Sequence, residues 1–252
     1  MGLILRSRAL ALLLILFSGG AIMVICAKTS PLTITIMNSC PTTIWPGLQA
    51  SEGHDVLEQG GFALESLKSR SFSVANPWNG VVWARTGCSF SGEKGSCLTG
   101  DCDGKLQCNG TGGRNPVTLA QLSLHHGGND VSSYTLSLVN GFNLPLTFTP
   151  HGGRGRCGIP RCMANMLESC PKELQVKNGD NVIACKTACQ AFRTDAYCCT
   201  SQHYNGSRTC PPTTYSQIFK RACPNAFAYP DDNPALVHNC VTPNEIKLIF
   251  CH

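Results

Sequence analysis

From residue 32 onward, apolar and polar positions alternate in short runs. LTITIMN (32–38) sets Leu32, Ile34 and Ile36 against threonines, and SRSFSVA (69–75) sets serines and an arginine against Phe72 and Val74. The same period of two runs through VVWAR (81–85), TLAQLSL (118–124), SSYTLSLV (132–139) and EIKLIF (245–250). Side chains on a strand point alternately to opposite faces, so each run predicts a strand with one face buried. Gly, Pro and Asn fill the gaps, as in NPWNG, GTGGRNP, HHGGND, NGFNLP and HGGRGRCG. Many short strands joined by such turns predict an all-β chain, a sandwich or a barrel.

Two stretches break the pattern. NVIACKTACQAFRTDAY (181–197) carries small and apolar residues at helical spacing, with Cys185 and Cys189 four apart, and predicts one helix. The N-terminus has Arg6 and Arg8, an apolar run from Ala9 to Phe17, then SGG and AIMVICA. That layout predicts a secretory signal peptide over residues 1–27, cut near Ala27. An uncleaved anchor is the alternative, but Ser18, Gly19 and Gly20 interrupt the run and no basic stop-transfer cluster follows. The rest, 28–252, is long enough for one large domain with a sizeable core.

Cysteine content sharpens the picture. The chain has 17 cysteines, and removal of Cys26 with the leader leaves 16, an even number. No C-x-x-C occurs, so the tight spacing that aims two thiolates at one metal or redox centre is missing. In an oxidising compartment these cysteines are expected to form eight disulfides. Net charge is +5 for the full chain and about +3 without the leader, with scattered lysines and arginines, so no nucleic-acid partner is expected. No phosphate loop, dinucleotide fingerprint or metal motif points to a cofactor. His125-His126 lies before GGND and reads as an exposed turn. Asn109-Gly110-Thr111 and Asn205-Gly206-Ser207 are candidate glycosylation sequons. No apolar pattern demands a dimer, so a monomer is expected.

WARTGC (83–88), CLTGDC (97–102), NGFNLP (140–145), YCCT (197–200) and FKRACP (219–224) together resemble the thaumatin-like proteins, secreted pathogenesis-related proteins of plants. The resemblance runs from about Leu32 to Cys251. Its signature departs once, at Glu93, where a glycine is usual. It implies a flattened antiparallel β-sandwich, a small looped lobe about 88–108, and a disulfide-rich lobe about 157–211 that carries the helix. It also implies the pairs Cys40–Cys251, Cys88–Cys97, Cys102–Cys108, Cys157–Cys240, Cys162–Cys223, Cys170–Cys185, Cys189–Cys198 and Cys199–Cys210. With the first of these closing one residue before the last position, no kinase domain or anchor-bearing tail is expected to follow.

Antifungal members of that family line a cleft with one arginine and four carboxylates. Some bind β-1,3-glucans, and weak endoglucanase activity has been attributed to them. Here the arginine position falls on Val81, with Arg85 the nearest arginine; the acid positions fall on Gln121, Thr135, Asn140 and Asp232. Three of the four acids are therefore replaced. Glycoside hydrolysis needs two carboxyl groups, one to protonate the leaving oxygen and one to attack or to activate water. Gln and Asn cannot exchange protons at useful pH, and Asp231 or Asp130 would have to complete a pair from outside the family positions. Amides can still donate to and accept from sugar hydroxyls. The expected function is thus a secreted, extracellular defence or stress protein of the apoplast or cell wall. It would bind a polysaccharide such as β-glucan, or a cell-wall or pathogen protein, without catalysis. The alternatives are a weak endo-β-1,3-glucanase and a membrane-permeabilising antifungal protein. Phe90, Phe142, Phe227 and Tyr229 are candidate aromatic contacts, with core packing the expected role of Phe142. For Arg85 a structural ion pair competes with a sugar contact.

Overall fold

The computed structural model describes residues 31–204 and 209–252. The expected leader, Cys26 and the Asn205 sequon lie outside them. The chain opens with β1 (Leu32–Asn38), β2 (Trp45–Ala50), β3 (Ser69–Val74) and β4 (Trp78–Arg85). A short hairpin, β5 (Ser89–Ser91) and β6 (Lys94–Ser96), projects next. Then come β7 (Leu119–His126), β8 (Val131–Ser137), β9 (Leu146–Gly155) and β10 (Arg161–Cys162). The cysteine-rich stretch holds α1 (Met166–Ser169), a hairpin of β11 (Gln175–Asn178) and β12 (Asn181–Cys185), α2 (Ala188–Phe192), α3 (Asp195–Cys198) and α4 (Thr214–Ala222). β13 (Ala226–Phe227) and β14 (His238–Phe250) complete the chain.

Ten strands form one sheet in the order β10-β9-β14-β8-β7-β4-β2, with β1 against β14, β3 against β1, and β13 against β8. β14 turns the sheet back on itself. Its first residues, His238–Val241, pair with β8, and Glu245–Phe250 pair with β1. Between them the register shifts and Thr242 takes φ 50°. β9 follows the same corner through glycines; a Cβ on Gly153, at φ 83°, would lie 2.6 Å from the Cys240 sulfur. Ile34 and Ile36 from β1, Leu122 from β7, Leu136 from β8 and Leu248 from β14 share one buried cluster between the resulting layers.

Most pairs are antiparallel, but β1–β14 and β13–β8 are parallel. β1 and β14 are distant in sequence, so no hairpin dictates their direction. Cys40–Cys251 staples them just past the end of the ladder, where Asn38 faces Phe250. The other bridges join Cys88–Cys97, Cys102–Cys108, Cys157–Cys240, Cys162–Cys223, Cys170–Cys185, Cys189–Cys198 and Cys199–Cys210.

The single helix predicted over 181–197 is replaced by three elements. Val182 and Ile183 are β-branched and extend in β12, paired to β11 across a turn at Gly179. Thr187 then caps α2 in a reciprocal box with Gln190, and Arg193 ends it in the left-handed region. Cys185 and Cys189 therefore sit on different elements. A further helix, α4, starts on a second capping box, Thr213 with Ser216. His125 is not an exposed turn residue. It is buried at the bulge of β7, with Nδ1 2.6 Å from Asp130 Oδ1 and Nε2 2.9 Å from the Val74 carbonyl.

Candidate functional site

The quoted sequence motifs meet one another in the interior. Trp83 donates through Nε1 to the Gly100 carbonyl at 2.9 Å, joining WARTGC to CLTGDC. Asn143 of NGFNLP donates to the Ala84 carbonyl and the Thr99 hydroxyl, and accepts from the Thr118 amide. Buried polar side chains with all partners present lock segments in register. These residues build the scaffold.

Arg85 belongs with them and not to a cleft. Its side chain is fully enclosed and donates to four backbone carbonyls, Trp45, Pro46, Lys105 and Leu106, and to the Cys102 sulfur. The expectation of a ligand contact is corrected, and so is that of an ion pair: carbonyl dipoles do the work, with Asp101 a more distant charge. Burial pulls its guanidinium down to about 10, and Asp101 acts in the opposite direction. Gly61 makes room for this cage, since a Cβ there would stand 2.8 Å from an Arg85 nitrogen. Phe90 lies over the guanidinium at 5.8 Å and packs on Trp45. Phe142 is core.

Val81, Gln121 and Thr135 form one row, each opposite the next across β4, β7 and β8. Gln121 is exposed, whereas Thr135 is buried and donates its hydroxyl to the Leu236 carbonyl at 3.2 Å. Asp232 is buried and committed. Its carboxylate accepts from the amides of Ala228 and Asn233 and lies 2.5 Å from the Lys220 ammonium. Asp130 is held by His125. Asp231 is half-buried, its carboxylate close to the Cys199 and Cys210 sulfurs. Those two sulfurs are joined in a disulfide and offer no thiolate to a metal.

A cavity of about 240 Å³ opens between the end of β8 and the helices α2, α3 and α4. Of the predicted residues, Asn140 and Tyr229 line it; Gln121, Thr135, Asp232, Phe90 and Phe227 do not. Tyr197 and Tyr215 complete its aromatic wall and pack edge to face, 5.8 Å apart, with Phe192 against both. Among the described residues no charged side chain lines it. The two capping boxes occupy Thr187, Gln190, Thr213 and Ser216. Tyr215 donates to Glu173 at 2.8 Å, and that bond raises the phenol's pKa and helps lower that of the carboxyl. The Asn140 side-chain amide and the Tyr197 and Tyr229 hydroxyls have no hydrogen-bond partner among the described residues. Burial, with Asp232 and Asp231 nearby, pushes the Tyr229 phenol up, so it stays a neutral donor.

Tyr197 and Tyr215 were not anticipated as contacts. The available signals were YCCT itself and the Thr213-x-x-Ser216 cap, with Tyr215 inside it and Phe219 four residues on at helical spacing.

The description "Thaumatin family" matches residues 38–252. The chain belongs to the thaumatin family. It is 53% identical to an osmotin-like protein of Solanum lycopersicum over 223 residues, 87% of this chain and 88% of that one. Pathogenesis-related protein 5 of Arabidopsis thaliana is 45% identical over 219 residues, 86% and 89% of the two chains. A glucan endo-1,3-beta-glucosidase of Prunus avium is 44% identical over 222 residues, 87% and 90%. In this thaumatin-family chain Gln121, Thr135, Asn140 and Asp232 form no acidic cluster: the first is an exposed amide, the second a covered hydroxyl, the third a cavity amide and the fourth an ion-paired carboxylate.

Proposed function

We propose that this chain is a secreted, disulfide-stabilised defence or stress protein that holds a cell-wall polysaccharide such as β-1,3-glucan, or a partner protein, without cleaving it. It acts outside the cell, as a monomer, with Asn109 exposed and open to glycosylation. The carrying observation is the cavity: tyrosine faces and a free amide, with no carboxylate in its wall. Sugar rings stack on such faces, and their hydroxyls both donate and accept. Hydrolysis would need a proton donor and a second carboxylate flanking one bond. Asp232 is tied to Lys220, and Asp231 stands alone beside the Cys199–Cys210 bridge.

The second reading is weak endo-β-1,3-glucanase activity. The Prunus avium relative's name and the uncommitted Asp231 favour it. One experiment separates the two. Purified protein is mixed with insoluble β-1,3-glucan, and both depletion from solution and new reducing ends are measured. Depletion without new ends is expected. Reducing ends that vanish in Asp231→Asn would overturn the non-catalytic reading and identify one member of the acid pair.

A further inference from the structure

Three depressions on this face meet at one residue. Asn115 lines the aromatic cavity, a wider open basin of about 530 Å³, and a third hollow of about 210 Å³. Gln190 and Cys198 line both the cavity and the basin; Pro116 and Lys186 line both the basin and the hollow. The three therefore make one continuous groove, from Tyr215 on α4 to the loop that carries Cys97 and Asp101.

Charge changes sign along it relative to an acidic cleft. The cavity wall is neutral. The basin presents Lys186 and Arg193, and the hollow adds Arg114. Arg193 and Arg114 are exposed and Lys186 is half-buried. None of the three has a side-chain hydrogen bond or ion pair among the described residues. The acids nearby are accounted for. Asp195 accepts from the Thr200 hydroxyl at 2.6 Å. Asp101 in the hollow accepts from the Gly104 amide and feels the buried Arg85. Its other oxygen is enclosed and has no hydrogen-bond partner among the described residues. Asp231 lies beside the Cys199–Cys210 bridge and lines none of the three depressions.

We propose that the groove binds a polyuronate, a polysaccharide whose rings carry carboxylates. Its sugar faces stack on Tyr197, Tyr215 and Tyr229, and its carboxylates lie along Lys186, Arg193 and Arg114. This rests on the reading of the cavity as a polysaccharide site and names the ligand class. Successive hollows suit a chain of similar rings. Amides at Asn115 and Asn140 suit hydroxyls, and cations at one end suit regularly spaced anions. A neutral glucan would use the aromatic end and leave the cations idle.

The test compares an oligogalacturonate with laminarin, a neutral β-1,3-glucan, by calorimetric titration of the full mature protein. Oligogalacturonate is expected to bind more tightly and to weaken between about 20 mM and about 300 mM salt, because exposed ion pairs are screened. Lys186→Gln with Arg193→Gln should weaken it about tenfold, the worth of two partly exposed ion pairs, with laminarin binding and melting temperature unchanged. Lys68→Gln with Arg161→Gln removes the same charge away from the groove and should leave oligogalacturonate binding intact. Equal loss in both double variants would mean diffuse attraction and would overturn the proposal. Laminarin binding with none to oligogalacturonate would overturn the charge assignment alone. Binding of neither would overturn the cavity reading as well.

Discussion

Gln121 and Thr135 face each other on neighbouring strands, yet a carboxylate would fare differently at each. Gln121 is exposed, and neither it nor the Asn140 side chain makes a hydrogen bond among the described residues. Gln121→Glu with Asn140→Asp should therefore fold and secrete normally, within about 0.5 kcal/mol of the parent by chemical denaturation. Thr135→Asp would point an anion at the Leu236 carbonyl in a buried site and should cost about 1–3 kcal/mol. A Thr135→Asp variant as stable as the parent would mean that the Leu236 segment moves aside. Tyr134 supplies a pH signature. Its ring stacks between Phe148 and His238, its hydroxyl donates to the Gly158 carbonyl at 2.7 Å, and burial pushes the phenol up to about 12. Below pH 10 the phenol is protonated in folded and unfolded chains alike, and nothing is lost. Between about 10 and 12 the unfolded chain gives up a proton that the folded chain keeps, so stability falls as pH rises. Denaturation midpoints across that window should fall more steeply for the parent than for Tyr134→Phe. At this scale the sequence could show which acids had become amides, but not where each side chain would face. Arg85 read as an ion-pair partner or a sugar contact because nothing local announces a cage built from Trp45, Pro46, Lys105 and Leu106, up to forty positions away.

Elements were legible where the period was clean. LTITIMN, TLAQLSL and SSYTLSLV correspond to β1, β7 and β8 within a residue or two. β2 was hidden because WPGLQA contains two breakers. It is the last strand in the sheet order, paired with β4 on one side and on the other meeting only a single bridge, Gly47 to Gly61, among the described residues, an arrangement that tolerates Pro46. Gly47 lies under the Trp83 ring, where a Cβ would come within 2.3 Å of it. β9 was hidden for a related reason: its HGGRG half looks like a turn, and those glycines serve the corner. The 181–197 segment misled because cysteines four apart fit a helix, while the disulfides that fix them run elsewhere, Cys185 to Cys170 and Cys189 to Cys198. The Gly179-Asp180 pair, with Gly179 at φ 60°, was the local signal for a hairpin. The error over 181–197 falls in the lobe that walls the cavity, where short elements are held by bridges more than by periodic burial.

For the whole molecule, the bridge with the widest span is the informative one. Cys40–Cys251 encloses a separation of 211 residues and sits at the end of the β1–β14 ladder. Cys40→Ala with Cys251→Ala should lower stability by about 2–5 kcal/mol, read as a lower melting temperature with binding retained. An unchanged melting temperature would mean that the parallel ladder holds both segments without its staple.

β14 also sets a timetable for biosynthesis. It leaves the ribosome after every other described strand, and β1, β8 and β9 all wait for it. Cys40, Cys157 and Cys162 wait too, for partners at 251, 240 and 223, while Cys88–Cys97 and Cys102–Cys108 can close as soon as they emerge. Contacts of such long range form slowly. For most of its synthesis the nascent chain therefore carries open strand edges and unpaired thiols, the state in which a chain is most exposed to aggregation and to mispairing of its cysteines.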